Sequence, residues 1–487
     1  MNDTAAITPG QVSDEFAMLD ATAQADLVRR GEVTPLELVD AAIARIERIN
    51  PDINALASVD FDLARKRAAE IETNGPFAGV PTLIKDLMPY PGHAAAFGTR
   101  LFAGQKTPAG SPYTDALDAA GLITLGKSAT SEFGLLGTTE TLSNGATRNP
   151  WGVSRSPGGS SGGAVAAVAS GMVPMAHASD GGGSIRGPSS FTGLFGFKPS
   201  RGRTVSNGMP AEMPTARLIA DHCVSRSVRD SYHWLSVTER ADRVTMLPSL
   251  EALRKSPRQR LRIGAYRLDC FGSQPSSEAQ TALETGIRLC RLLGHDVIDV
   301  QGPTIDTRAT SEAFLTLTGY SIGQLLNQVR QMLGSSFNPD LFEPYTLDLA
   351  RRAEGTPPET LARLVAALHL AERDADTSLA DIDILLSPTV PMPAFPLGTH
   401  GPEQAPAEAD AFIARLAGYT VVASLAGWPA MSVPLHRTAN GLPIGCHFAA
   451  ARERDDLLFS LALQLEEAAP WMSDLATLPE VTACRKS

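Results

Sequence analysis

One pattern in the middle of the chain constrains the fold more than any other: short apolar segments alternate with a segment of helical periodicity. Leu261–Tyr266 is a short apolar run, Ser276–Leu293 carries apolar residues at helical spacing, and Asp296–Val300 is a second apolar run after Gly294. Two strands joined by one helix form a parallel βαβ unit. The pattern therefore predicts an α/β protein in which helices cover a largely buried sheet.

Other segments extend this pattern. Further strands are predicted at Ile382–Leu386, Ala430–Leu435 and Leu442–Phe448, and a Leu-rich helix is predicted at Arg454–Ala468. Thr34-Pro-Leu-Glu37 is a capping box with proline at the first helical position, which predicts a helix to about Asn50. Thr356-Pro-Pro-Glu359 repeats that signature and predicts another helix through Leu370.

Charge and hydropathy exclude several classes of protein. The 487 residues carry a net charge of −11, and the mean hydropathy is −0.04. These values are typical of a soluble globular protein, and the acidic balance argues against nucleic acid or an anionic membrane as the main partner. We expect no secretory signal, because the first residues have neither a basic stretch nor an apolar core. Gly162–Val173 is too short to span a bilayer.

The cysteines indicate a reducing compartment, and we expect the cytoplasm. There are five, they are dispersed, and no CxxC pair occurs: Cys223, Cys270, Cys290, Cys446 and Cys484. This pattern favours free thiols over a disulfide framework or a zinc site.

Gly and Ser dominate between about residues 140 and 205, where charge nearly vanishes. A flexible linker is one interpretation of such a composition. The apolar segments inside it, Ala164–Ala169, Met172–Ala176 and Phe191–Phe197, are unnecessary in a linker. We therefore expect this region to be part of the folded core and to carry a site.

Two short motifs in this half of the chain match known sites but lack the required context. Gly121–Ser128 matches the phosphate-loop pattern GxxxxGK[ST], yet a predicted helix precedes it and its middle residues are strand-like. Gly158–Gly162 matches the GxSxG nucleophile elbow, which would require a later histidine such as His295 or His447. We reject the nucleotide site and give little weight to the elbow.

A third constellation joins Lys85, Ser160 and Ser184. A serine hydroxyl is a poor nucleophile until a base accepts its proton, and a lysine is a base only when a dry pocket keeps it neutral. Lys85 ends the apolar segment Gly-Val-Pro-Thr-Leu-Ile-Lys, so its side chain is predicted to leave a buried strand. Taken singly, these residues would be a surface lysine, a helix N-cap and a turn serine; their joint pattern favours a site.

The glycines before Ser184 supply a second requirement of such a site. Backbone N–H groups that converge on one point form an oxyanion hole, and glycine lets a substrate oxygen approach closely. We expect Gly181, Gly182 and Gly183 to provide these donors. Asp180 and Arg186 flank the loop, and we interpret them as a brace, with a salt bridge at the rim of the site as the alternative.

Together these motifs resemble the amidase signature family of serine hydrolases. The resemblance rests on Gly79-Val-Pro-Thr-Leu-Ile-Lys-Asp86, the block Ser156–Gly202, Asp383–Thr389, Gly427–Pro434 and Gly441–Cys446. The segment Ser179-Asp-Gly-Gly-Gly-Ser-Ile-Arg186 is similar to the branch that contains 6-aminohexanoate cyclic dimer hydrolase. Two positions depart from the family pattern, Lys127–Thr130 and Ser424, and both are expected to reshape the acyl pocket.

The resemblance implies a mechanism and a fold. It implies that Ser184 is the nucleophile, that Ser160 is a bridging serine at a cis peptide, that Lys85 is the base, and that Ser161 supports the site. It also implies one compact domain over residues 1–487, with a mixed central β-sheet sandwiched between α-helices and no metal or cofactor. Within it we expect a helical segment at about 1–60, a signature core at about 75–205 and a variable substrate region at about 300–420.

The expected function is hydrolysis of a carboxylic amide C–N bond, with esters, anilides or carbamates as further substrates. The expected partner is a small amide-type molecule rather than nucleic acid or membrane, for a monomer or homodimer. Two alternatives remain open: the glutamine-hydrolysing subunit of a tRNA-dependent amidotransferase, and a non-catalytic binding protein of the same fold. In the substrate region the aromatic and apolar residues are expected to line the pocket or to be ordinary core: Phe314, Tyr320, Leu341 and Phe342.

Overall fold

A mixed β-sheet forms the centre of the computed structural model, which describes residues 16–72, 74–210, 212–475 and 478. The strands of the described residues are β1 (Leu56–Val59), β2 (Val80–Lys85), β3 (Leu122–Ser128), β4 (Glu140–Thr141), β5 (Gly145–Ala146), β6 (Met175–Asp180), β7 (Phe195–Lys198), β8 (Ala220–Ser225), β9 (Arg262–Ala265), β10 (Asp296–Asp299), β11 (Ile384–Pro388), β12 (Ala430–Arg437) and β13 (Pro443–Ala450).

The helices of the same residues are α1 (Ala21–Arg29), α2 (Pro35–Ile53), α3 (Phe61–Glu70), α4 (Pro112–Ala119), α5 (Gly162–Ala169), α6 (Arg186–Thr192), α7 (Val228–Thr238), α8 (Leu250–Lys255), α9 (Ser277–Leu292), α10 (Thr307–Leu333), α11 (Pro344–Arg352), α12 (Pro358–Asp376), α13 (Pro406–Ala417), α14 (Val421–Ala426), α15 (Asp455–Ala468) and α16 (Met472–Leu475).

The large sheet has the strand order β10-β9-β11-β13-β12-β7-β8-β6. The βαβ prediction is confirmed: β9 and β10 pair in parallel, with α9 between them, and β11 joins the other side of β9 in parallel. The remaining neighbours pair antiparallel, so the sheet is mixed. The α/β class predicted from the alternation is therefore correct.

Helices pack on both faces of this sheet, and adjacent residues of β13 show why. Gly445 has room for no side chain, because a Cβ there would lie 2.3 Å from Ser432 Oγ and 3.3 Å from Cα of Ser190 in α6. The next residue, Cys446, points the other way and donates from its thiol to the carbonyl of Ala282 in α9 at 3.1 Å. Because successive side chains of a strand alternate between faces, α6 and α9 lie on opposite sides of the sheet.

A smaller sheet of order β1-β3-β2 carries the segment that ends in Lys85. Every residue of β2 is buried, and Thr82 Oγ1 donates to the carbonyl of Met175 in β6 at 3.1 Å. β2 therefore lies beside β6, and at their carboxyl ends Lys85 Nζ lies 3.1 Å from Ser179 Oγ. Lys127 and Gly126 lie inside β3, so the segment that matched the phosphate-loop pattern is a strand and not a loop.

The two predicted capping boxes have different outcomes. At Thr34 the box is present, because Thr34 Oγ1 accepts from the N–H of Glu37 at 3.2 Å and Thr34 N–H donates to Glu37 Oε2 at 2.8 Å. At Thr356 the prediction is wrong. Two consecutive prolines shift the helix start by one residue, so Pro357 occupies the N-cap position, and a proline side chain has no acceptor. Thr356 Oγ1 instead donates backwards to the carbonyl of Ala353 at 2.7 Å.

Two further expectations from the sequence concern membrane-spanning helices and cysteines. Among the described residues no helix is long and apolar enough to cross a membrane. Four of the five cysteines are free thiols: Cys223, Cys270, Cys290 and Cys446. Cys484 and the first fifteen residues of the predicted N-terminal segment lie outside the described residues.

Candidate active site

Lys85 ends β2 with its amine inside the protein. Its Nζ lies 2.7 Å from Ser160 Oγ, 3.1 Å from Ser179 Oγ and 3.3 Å from the carbonyl oxygen of Ser179. The residue is fully buried. The structure therefore brings two of the three predicted residues, Lys85 and Ser160, into direct hydrogen-bond contact.

Burial lowers the pKa of Lys85 to about 7, although the negative charges of Asp221 and Asp180 oppose this shift. Desolvation disfavours an ammonium because its hydration is lost. The neighbouring Asp86 points away from Lys85 and accepts from the N–H groups of Ala96 at 3.1 Å and Gly98 at 3.3 Å. Lys85 is thus a buried amine without a direct carboxylate partner, which is the condition for a neutral lysine near pH 7.

Ser160 follows a cis peptide bond between Gly159 and Ser160. A Cβ on Gly159 would lie 2.3 Å from the carbonyl oxygen of Thr138, so only glycine fits at this position. The N-cap of α5 is Ser161, without a side-chain capping bond, so the interpretation of Ser160 as a helix cap is wrong. Ser161 Oγ donates to the carbonyl of Ser179 at 3.3 Å.

Asp180 and Arg186 enclose the loop 181–184 between β6 and α6. Arg186 donates from Nε and Nη2 to the two carboxylate oxygens of Asp180 at 2.9 and 2.8 Å, and both side chains have no exposed surface. The pair is therefore not a salt bridge at the rim. Burial would raise the pKa of Asp180, but the charge and hydrogen bonds of Arg186 outweigh it and hold the pKa below its ordinary value.

The same loop is tied to the segment that contains Thr420 and Ser424. Thr420 Oγ1 donates to the carbonyl of Gly182 at 2.6 Å, and Arg186 donates to the carbonyl of Thr420 at 2.7 Å and to Ser424 Oγ at 3.0 Å. Gly183 has φ +147°, and a Cβ there would lie 2.4 Å from Thr420 Oγ1. The loop is held on both sides, and its close contact with Thr420 requires glycine.

A cavity of about 970 Å³ opens beside this loop. Its wall includes five of the predicted site residues: Ser160, Ser184, Gly181, Gly182 and Gly183. Of the predicted pocket residues, Phe314 lines the cavity. Tyr320, Leu341 and Phe342 are not among the described residues of its wall, and Phe342 instead stacks on Phe133 with ring centres 6.4 Å apart.

The positions that depart from the family pattern do not reach this wall either. These residues do not line the described cavity, and an effect on its shape stays a prediction. Ser128 and Thr130 are buried away from it, and Ser424 contacts Arg186 and Asp180 behind the loop. The change at 424 thus affects the support of the loop rather than the pocket surface.

Sequence reasoning missed a second layer around Lys85. The N–H of Lys85 donates to His177 Nδ1 at 3.2 Å, His177 Nε2 lies 3.1 Å from Asp221 Oδ1, and Asn207 Nδ2 donates to Asp221 Oδ2 at 2.6 Å. Ser179, whose hydroxyl contacts the Lys85 amine, stands at the start of the motif Ser179–Arg186, so its place in the site could have been predicted. No local signal joins residues 177 and 221, because the pairing of β6 with β8 brings them together.

The histidines that the nucleophile elbow would need lie elsewhere. His447 is buried and its Nε2 lies 3.0 Å from Arg186 Nη1, while His295 Nδ1 accepts from the N–H of Leu261 at 3.3 Å. Neither belongs to the cavity wall in the part of the chain that the structure describes. Lysine, not histidine, is the basic group beside Ser160.

Comparisons with known proteins agree with this geometry. The family model described as Amidase matches residues 37–459. AmiC of Mycobacterium tuberculosis is 35% identical over 94% of this chain and 96% of its own length. A solved 6-aminohexanoate cyclic dimer hydrolase in complex with substrate superposes with a TM-score of 0.87 at 32% identity, covering 96% of this chain and 99% of the other.

A relative of a different kind is also similar over most of its length. One of the subunits of the glutamyl-tRNA(Gln) amidotransferase of Synechococcus sp. is 32% identical, covering 92% of this chain and 96% of its own. Since the family model spans far more than half of the residues, and the relatives align over nearly their whole length, the chain belongs to the amidase family and is an amide-hydrolysing enzyme.

Proposed function

We propose that this enzyme cleaves amides through an acyl-enzyme on Ser184, with Ser160 as proton relay and Lys85 as base. The observation that carries the proposal is the 2.7 Å contact between Lys85 Nζ and Ser160 Oγ at a position without solvent exposure. Ser160 and Ser184 both border the cavity, so a relay from Lys85 through Ser160 ends where a substrate would lie.

The partners of the amine are compatible with its neutral form. An ammonium offers three donors and no acceptor, whereas a neutral amine offers two donors and one acceptor. Lys85 Nζ faces one carbonyl, which can only accept, and two hydroxyls, which can also donate. A hydroxyl proton directed at Nζ is the starting arrangement for proton transfer to lysine. A pKa of about 7 then leaves a large neutral fraction at neutral pH.

The proposed reaction conserves protons at each step. Lys85 accepts the Ser160 proton while Ser160 accepts the Ser184 proton, and Ser184 Oγ bonds to the acyl carbon. The C–N bond then breaks, and the proton on Lys85 returns through Ser160 to the leaving amine. Water repeats the attack on the acyl-enzyme, the ester bond to Ser184 breaks, and Ser184 regains its proton.

The loop 181–184 would stabilise the oxyanion in both steps. Its residues border the cavity, and its shape is fixed by Asp180, Arg186 and Thr420. Preorganised donors of this kind lower a barrier without reorganising during the reaction, and one such donor contributes about 3–4 kcal/mol in other hydrolases.

Three substitutions test the relay. Lys85→Ala and Ser184→Ala are expected to abolish turnover, and Ser160→Ala is expected to be nearly as severe. Ser170→Ala is the control, because Ser170 lies at the far end of α5 and its Oγ donates to the carbonyl of Ala166 at 2.7 Å; it should keep the activity of the wild type. An ordinary rate for purified Ser184→Ala would exclude the acyl-enzyme assignment.

Labelling separates this reaction from the non-catalytic alternative. A fluorophosphonate should modify Ser184, as located by mass spectrometry of the digested protein, and labelling should be lost in Lys85→Ala. Mass spectrometry of the enzyme mixed rapidly with substrate should reveal the acyl group on the same peptide. An unlabelled Ser184 in the folded wild-type enzyme would argue for a binding protein.

The amidotransferase alternative makes different predictions. It requires release of ammonia from glutamine and co-purification of partner chains, and both are measured on the natively expressed protein. We propose instead a cytoplasmic monomer or homodimer that acts on small amides, anilides, esters or carbamates without nucleic acid or membrane. Light scattering measures the mass of the particle, and a hydrolysis panel across those compounds ranks the bond types.

A further inference from the structure

The ionisable side chains on the wall of the cavity beside the loop 181–184 bear on which substrates it can hold. Among the described residues that line it there is no lysine and no arginine. The ionisable side chains of the wall include two carboxylates, Asp221 and Asp410, and one imidazole, His177. A substrate in this cavity therefore meets negative charge and no exposed cation.

Three cations near the cavity are already buried or paired. Arg186 is fully buried and bonds Asp180, while Arg352 donates to Asp410 Oδ2 at 2.7 Å. Lys85 lies beneath Ser160 without exposure. A substrate carboxylate that entered the cavity would lose hydration without gaining a salt bridge, and an unpaired buried charge is strongly unfavourable.

The long helix α10 provides a wall of a different chemistry. Its lining residues combine uncharged polar side chains with apolar ones. The polar ones are Thr307, Thr310, Ser311, Thr318, Ser321, Gln324 and Gln328, and the apolar ones are Phe314, Leu315, Ile322 and Leu325. At 1.5 Å per residue, the stretch from Thr307 to Gln328 extends over about 30 Å. Hydroxyls and side-chain amides at this spacing can donate to and accept from amide groups of an extended substrate.

The volume of the cavity supports a substrate larger than one amino acid. Pockets for drug-sized ligands measure about 300–1,000 Å³, and this cavity of about 970 Å³ is at the upper end of that range. A free amino acid such as glutamine would fill a small part of it, and its carboxylate would find no lysine or arginine among the described residues of the wall.

We infer that the cavity selects extended, uncharged amides and excludes amides that carry a carboxylate on the acyl part. This inference rests on the proposed function, since it names the substrate class of the same site. It also separates the enzyme from a glutaminase, whose substrate bears a carboxylate.

The test compares two compounds of equal length: the mono-para-nitroanilide of adipic acid, and the same compound with its carboxylate converted to the primary amide. We expect kcat/KM for the neutral compound to exceed that for the acid by at least about 100-fold. Equal values would overturn the inference.

Binding keeps this test independent of the mechanism. Calorimetry of both compounds with Ser184→Ala measures selection without turnover, and we expect the neutral compound to bind more tightly by a similar factor. Equal affinities, or no binding of either compound, would overturn the inference. If the neutral compound binds selectively but wild-type enzyme does not hydrolyse it through Ser184, the mechanism fails and the selectivity stands.

A second experiment adds a positive charge to the cavity wall and measures whether the acid becomes a better substrate. Thr318→Lys places a cation on the wall, and Thr318→Met adds similar bulk without charge. We expect Thr318→Lys to raise the acid-to-amide ratio of kcat/KM about tenfold over Thr318→Met. Gln324→Lys and Gln324→Met repeat the comparison at an exposed position of the same face, where folding is not at risk. An unchanged ratio in both pairs would contradict the inference.

Discussion

The backbone N–H of Lys85 donates to Nδ1 of His177 across 3.2 Å. An imidazole that accepts at Nδ1 carries its proton on Nε2, so His177 donates in turn to Asp221 at 3.1 Å. Burial lowers the pKa of His177, and the hydrogen bond and charge of Asp221 oppose this without reversing it. A neutral imidazole thus connects the backbone of the proposed base to a carboxylate whose charge acts on the Lys85 amine.

The first prediction concerns the pH dependence of the wild-type enzyme. Lys85 is a base only when neutral, and burial lowers its pKa to about 7. Activity should therefore be lost as pH falls below that value, with kcat/KM changing by roughly tenfold per pH unit and reaching a plateau above it. Rates for a neutral anilide over about two units on either side measure the profile. A profile that stays flat well below pH 7 would exclude Lys85 as the base.

The second prediction is that Asp221→Asn moves this acid limb to lower pH. The charge of Asp221 raises the pKa of Lys85 against the effect of burial, so its removal should lower that pKa further. The other charged groups acting on Lys85 and His177 are Asp180 and Lys127, and both are unchanged in the variant.

Asp410→Asn is the matched control for that shift. Asp410 also lines the cavity, but it accepts from Tyr345 Oη at 2.7 Å and is paired with Arg352. The pH profile of kcat/KM for Asp410→Asn should coincide with that of the wild type. A common shift in both variants would show that Asp221 acts through the general potential of the cavity and not through Lys85.

The signature motifs could be predicted because they are local in sequence. Lys85 follows its apolar strand directly, and Asp180, Ser184 and Arg186 lie within seven residues of one another. The network of His177 and Asp221 could not, since it depends on strand register. Cys223 is the direct partner of His177 in the antiparallel pair, and Asp221, two residues earlier, lies diagonally on the same face.

The prediction of the pocket residues was partly wrong, and helical geometry explains one of the errors. Phe314 and Tyr320 both belong to α10, but six residues advance a helix by about one and two-thirds turns. When Phe314 faces the cavity, Tyr320 points elsewhere. Composition alone could not show which face of α10 lines the cavity. Both sides of the helix carry apolar residues, which pack against α11 and α12 or face the cavity.

The third prediction concerns the stability of the loop brace. Asp180→Asn leaves Arg186 buried without its counter-charge, and breaking one partner of a buried pair costs about 3–5 kcal/mol. Glu467→Gln is the control, since Glu467 and Arg258 form an exposed pair at 2.6 Å and such pairs contribute about 0–1 kcal/mol. Urea denaturation compares the two variants. Equal and small losses of unfolding free energy in the two variants would mean that the loop does not depend on the buried pair.

The fourth prediction isolates the close packing behind Ser160. A Cβ on Gly163 would lie 2.3 Å from both the backbone nitrogen of Ala129 and the carbonyl oxygen of Ala55, so neither obstacle is a flexible side chain. Gly163→Ala must displace α5 from the small sheet, and overpacking of this kind costs about 1–3 kcal/mol. Because α5 follows Ser160 directly, we also expect kcat to fall. Gly401→Ala, where no atom lies within 4 Å of the added Cβ, should leave both stability and kcat unchanged. If Gly163→Ala matched that control by urea denaturation and by initial rates, α5 could move without disturbing the relay.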